Sequence, residues 1–69
     1  MTYVEVQHQL GLAIRARREA MGVSQEGFAD SISMHRAYYG AIERGHKNLT
    51  LRNIARIADA LGVEIRELF

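Results

Sequence analysis

The sequence contains no cysteine, no proline and no tryptophan. Without cysteine it can form neither a disulfide framework nor a thiolate zinc site, so apolar packing must hold the core and a reducing cytoplasm is the expected compartment. Without proline, and with six glycines spread along the chain, it lacks the composition of a linker, a repeat or a low-complexity segment. Long apolar runs are missing as well. No stretch approaches the roughly 18 residues of a membrane span, and Met1 to Leu10 has no basic patch followed by an apolar run, so neither a membrane nor a secretory leader is expected. The 69 residues suffice for one domain, 1–69, of modest stability.

The formal charge of +1 conceals an uneven distribution. Residues 1–34 set Arg15, Arg17 and Arg18 against Glu5, Glu19, Glu26 and Asp30, a net −1. Residues 35–56 set Arg36, Arg44, Lys47, Arg52 and Arg56 against Glu43 alone, a net +4, with His35 and His46 in the same stretch. The tail sets Arg66 against Asp59, Glu64 and Glu67, a net −2. A basic middle of this kind suits a surface facing a polyanion; a solvated face with a chance cluster is the plainer alternative.

Hydrophobic spacing is helical throughout, and no window alternates long enough for a strand. Thr2 with Glu5 three residues on is a capping-box signal, after which Val6, Leu10, Ala13 and Ile14 share one face. This first helix should end near Met21, with Gly22 as its stop. Ser24 caps a short second helix with Phe28, Ala29 and Ile32 inward, and a tight turn follows at Ser33. A third helix runs from about Met34 or His35 to Arg44, with Tyr39 and Ile42 inward and Gly45 as its stop. Thr50 opens a fourth, whose stripe of Leu51, Ile54, Ala55, Ile57, Ala58 and Leu61 closes at Gly62. Val63 to Phe69 leaves room for one or two further turns. The expected fold is all-α: five short helices. So tight a turn between helices two and three forces them apart at a large angle and needs a small residue where they touch, which Ala29 supplies.

At this point the residues Leu10-Gly11, Ile14-Arg15, Arg18, Gly22-Val23-Ser24-Gln25-Glu26, Phe28-Ala29, Ile42-Glu43-Arg44-Gly45, Asn48, Thr50-Leu51, Ile54, Ala58 and Leu61-Gly62 resemble one family. From Leu10 to Phe69 the chain is similar to the Cro and lambda-repressor-like, XRE-type helix-turn-helix transcriptional regulators. Within them, His35-Arg36-Ala37-Tyr38-Tyr39 before Gly40-Ala41-Ile42-Glu43-Arg44-Gly45 is most similar to restriction-modification controller proteins. The resemblance implies a lambda-repressor-like domain with its helix-turn-helix at helices two and three, bound to double-stranded DNA. The sequence departs from the family at Ser33, where glycine is usual, at Gly27 inside helix two, and at Leu49, where proline is frequent.

An α-helix fits the major groove, and its first turns reach base edges while neighbouring elements hold phosphates. Helix three is the expected reader, presenting His35, Arg36, Ala37, Tyr38, Gly40 and Ala41 outward. The Arg36 fork can donate to both O6 and N7 of guanine, or to phosphate alone. His35 is read as a donor to base or phosphate, or as a helix-start residue without a role. Ala37 offers a methyl contact and Gly40 a close backbone approach. Tyr38 is placed outward and Tyr39 in the core. Gln25, which the family sets against the DNA backbone, joins Arg44, Lys47, Asn48 and Thr50 as expected phosphate contacts. Asn48 and Thr50 have plainer alternatives as a turn residue and a cap. By resemblance, Arg18 should pair with Glu43.

One such domain covers few base pairs, so a homodimer on a palindromic operator is expected, joined through Ile65, Leu68 and Phe69 unless these only close the monomer core. Regulation by concentration is expected in place of a small-molecule ligand. The three histidines are too scattered for a metal site, no cofactor motif is present, and no nucleophile, base and orienter can be grouped, which argues against an enzyme. An antitoxin-like module with a protein as its main partner and an RNA-binding helical domain are the rival readings.

Overall fold

The computed structural model describes residues 1–69 and contains α1 (Tyr3–Ala20), α2 (Gln25–Ser31), α3 (Arg36–Glu43), α4 (Leu51–Leu61) and a closing 3-10 turn, Ile65–Leu68. Thr2 begins α1 as the spacing predicts: its hydroxyl accepts from the Glu5 amide at 3.2 Å, and the Glu5 carboxylate accepts from the Thr2 amide at 3.1 Å. Met21 ends the helix, and Gly22 carries the chain out with φ +73°. Ser24 and Thr50 cap α2 and α4, accepting from the amides of Gly27 at 3.0 Å and Asn53 at 3.1 Å. The fifth element is shorter and more tightly wound than an α-helix. Its first amide, Glu64, donates to the Glu67 carboxylate at 2.7 Å.

The core joins Leu10 and Ile14 of α1, Phe28 and Ala29 of α2, Tyr39 and Ile42 of α3, and Ile54, Ile57, Ala58 and Leu61 of α4. Met34 and Leu68 complete it. Phe28 and Tyr39 meet with ring centroids 5.2 Å apart and planes inclined at 43°. Leu68, expected at a dimer face, is 3% exposed and belongs to this core. The turn brings it back over the other helices, so its apolar surface is already spent within the chain.

Two features aim α3. Ser33 takes the left-handed backbone conformation, φ +54°, that lets the Met34 amide return to the Ala29 carbonyl at 2.9 Å. The tight turn between α2 and α3 is made there, against an Ala29 with no exposed surface. At its other end α3 is gripped by α1 through two glycines. A methyl group on Gly11 would lie 2.6 Å from the carbonyl oxygens of both Ile42 and Glu43, and one on Gly45 would lie 2.7 Å from the His8 Cα. The backbones there are too close for any side chain.

Candidate nucleic-acid interface

A buried polar cluster fixes the angle between the helices behind the interface. Arg18 of α1 meets Glu43 of α3 through two parallel bonds, Nε to Oε2 at 2.7 Å and Nη2 to Oε1 at 3.1 Å. Its third nitrogen, Nη1, donates to the Val23 carbonyl at 2.8 Å. Gln25 at the start of α2 adds Nε2 to Glu43 Oε1 at 2.9 Å. Three helices thus converge on one carboxylate. Burial pushes the Glu43 carboxyl up, but hydrogen bonds, the one from Arg18 first, together with the Arg18 charge outweigh it and hold it below the ordinary carboxylate range. The Arg18 guanidinium is raised, first by its bond to Glu43. Tyr39 lies beside this pair, its phenol pushed far up by burial and then by the Glu43 carboxylate.

The sequence expectation set Gln25 against a phosphate. One side-chain N–H donates to Glu43, and the carbonyl oxygen lies over Gly40. That bond uses one of the two Nε2 hydrogens, so the second hydrogen and the backbone amide at the start of α2 are the donors this position has left for an anion.

The exposed start of α3 gathers His35, Arg36 and Ala37, with Tyr38 half-buried beside them. His35 is the cap of the helix: its Nδ1 accepts from the Ala37 amide at 3.2 Å, which leaves Nε2 outward. Lys47, on the loop after α3, places its ammonium 5.5 Å from the centre of the Tyr38 ring, joining loop and helix by a cation–π contact. Arg44, Asn48 and Thr50 are exposed along the same loop. Gly40 and Ala41, expected to be open on the outward face, are both buried. Ala41 is turned into the packed side of α3, and Gly40 is roofed by the ends of the Arg44 and Gln25 side chains.

Two features went unread in the sequence. Arg56 of α4 donates to the Ile32 carbonyl and, at 3.3 Å, to Asn53 Oδ1, tying α4 to the turn before α3. Only its place in the basic stretch hinted at a role. The other is a groove of about 180 Å³ between α1 and the loop after α3, bordered by Tyr3, Val6, Leu10, Leu49, Ile54 and Phe69. Tyr3, at 71%, and Phe69, at 67%, are among the most exposed large side chains in the molecule. By contrast, Arg15 and Arg17 are occupied on the surface, Arg15 with Glu19 at 3.2 Å and Arg17 with Glu67 at 3.8 Å.

A family profile described as Helix-turn-helix matches residues 14–68. The chain is 42% identical over 55 residues to control protein C.MunI of a Mycoplasma species, which covers 80% of this chain and 74% of the relative. It is 42% identical over 52 residues to control protein C.BamHI of Bacillus amyloliquefaciens, covering 75% of this chain and 64% of that protein. Among solved structures, the restriction-modification controller protein C.AhdI of Aeromonas hydrophila superposes with a TM-score of 0.88 at 42% identity, over 94% of this chain and 98% of the other. No helix is long and apolar enough to cross a membrane. With a profile that spans most of its length and relatives of this closeness, the chain belongs to the XRE-type helix-turn-helix family of DNA-binding transcriptional regulators.

Proposed function

We propose that the chain, acting as one domain over 1–69, binds a palindromic operator as a homodimer and controls transcription in the manner the name of its control-protein relatives denotes. The observation that carries this reading is the exposed start of α3. Arg36 is free there, beside Tyr38 and His35, while the buried Arg18–Glu43–Gln25 cluster holds the helix from behind. A helix presented in this way enters the major groove with Arg36 able to donate to guanine O6 and N7, worth about 1–3 kcal/mol of discrimination. Lys47, Asn48, Thr50 and the backbone amide of Gln25 hold the sugar-phosphate strands on either side. Two copies related by a twofold axis would set their readers about 34 Å apart. Ile65 and Phe69, both exposed, supply the apolar contact between copies; Leu68 does not.

The function is tested by selecting bound duplexes from a random pool and sizing the complex. Two inverted half-sites with two chains per duplex are expected. A protein that retains no duplex above background, or prefers single-stranded RNA, overturns the reading.

A further inference from the structure

Gly40 is buried although it lies on the face of α3 that the proposed function directs at DNA. A methyl group built on it would lie 3.2 Å from Nη1 of Arg44 and 3.4 Å from Oε1 of Gln25, so two long side chains end above bare backbone. The direction has a simple cause. Side chains on a helix lean toward its N-terminus, onto the residue four positions earlier. Arg44 follows this rule from the C-cap of α3, where its backbone is still helical, and its guanidinium comes to rest over Gly40. Residues 36, 40 and 44 form one stripe, each step rotating by only about 40°. The charge of Arg44 is thereby carried from the end of the helix to the middle of its outward face, in line with Arg36.

The chemistry of the seat agrees with its geometry. Arg44 is exposed and enters no ion pair, whereas Arg15, Arg17 and Arg18 each meet a glutamate. Beside it, Gln25 donates from Nε2 to Glu43, and the atom it places over Gly40 is its carbonyl oxygen, an acceptor compatible with a neighbouring guanidinium. A methyl at position 40 would press the guanidinium outward by a few tenths of an ångström, and a branched side chain would fill the space it occupies.

We infer that Arg44, seated over Gly40, is a second base-reading residue that takes the O6 and N7 edge of a guanine, and that Gly40 determines this by having no side chain. The inference rests on the proposed entry of α3 into the major groove and reassigns Arg44 from the phosphate contacts to direct readout. It makes a planar, two-pronged guanidinium the fitted group there, which the single ammonium of a lysine matches less well.

Duplex selections with the full chain test it, using Arg44→Lys, Arg44→Ala, Gly40→Leu and the Gly40→Leu/Arg44→Ala pair, each checked for helicity by circular dichroism. The wild type should show one guanine preference per half-site that survives Arg36→Ala. Arg44→Lys and Gly40→Leu should each reduce that preference by about fivefold or more, and Arg44→Lys should leave the salt dependence unchanged. In the Arg44→Ala background, Gly40→Leu should change the preference no further. If Arg44→Ala weakens all duplexes equally and the guanine preference survives it, Arg44 is a phosphate contact and the inference fails while the function stands. If the wild type selects no duplex, the function itself has failed.

Discussion

Replacing Glu43 by alanine removes the carboxylate on which three helices converge. Arg18 would be left with a guanidinium that is about nine-tenths buried and keeps only the Val23 carbonyl as partner. Breaking a buried pair by deleting one member costs about 3–5 kcal/mol, because the other charge stays desolvated and uncompensated. Gln25 loses its acceptor in the same step. Against this, a domain of this size has a total stability of roughly 3–10 kcal/mol at about 0.05–0.15 kcal/mol per residue. Glu43→Ala should therefore remove between about a third and all of the domain's stability. Urea denaturation followed by circular dichroism measures the loss, with an unchanged slope indicating a true change in stability. A double replacement, Arg18→Met with Glu43→Met, should recover much of the loss, since a buried pair exchanged for apolar side chains is often neutral.

The same carboxylate links stability to pH. Its folded value lies below the ordinary 4.5, so its contribution is complete above about pH 4.5 and is lost as the pH falls through the folded value. Glu43→Gln should be less stable at pH 7 and should lose less on acidification than the wild type. If Glu43→Ala costs under about 1 kcal/mol, or Glu43→Gln is as acid-sensitive as the wild type, the cluster does not hold the helices together as argued.

Ser33→Gly should stabilise the domain by about 0.5–1 kcal/mol, the relief of a left-handed serine exceeding the entropy glycine adds to the unfolded chain, and thermal melting should rise by a few degrees. Gly11→Ala should cost at least about 2 kcal/mol, since the new methyl meets two backbone carbonyls that cannot rotate away; a neutral result in urea denaturation would show that α1 and α3 can part freely. Lys47→Ala should weaken all duplexes alike and reduce the slope of log affinity against log salt by about one, measured by fluorescence anisotropy across salt concentrations.

The helices and their starts were legible because caps are local. Thr2, Ser24 and Thr50 each bond an amide three residues away, and the pairing of Arg18 with Glu43 followed from resemblance. What escaped the sequence depends on distant neighbours. Leu68 and Ile65 read alike as apolar residues of a terminal turn, and only the way that turn folds back separates the buried one from the exposed one. Gly40 read as an open position because its own helix leaves it open. Its cover comes from Gln25, fifteen residues earlier, and from an arginine leaning back along the helix. His35 read as a donor to base or phosphate, or as a helix-start residue without a role; that its Nδ1 caps the first turn of α3 was not read. Side-chain direction and committed hydrogen bonds, in place of residue type, separate these cases.

The central claim is that Arg36 reads a guanine from the groove. The most direct measurement compares wild type and Arg36→Ala on the selected operator and on one with 7-deazaguanine at the guanine assigned to Arg36. Loss of N7 should weaken the wild type by about fivefold or more and leave Arg36→Ala unaffected. Equal sensitivity of both proteins, or none in the wild type, would contradict the account.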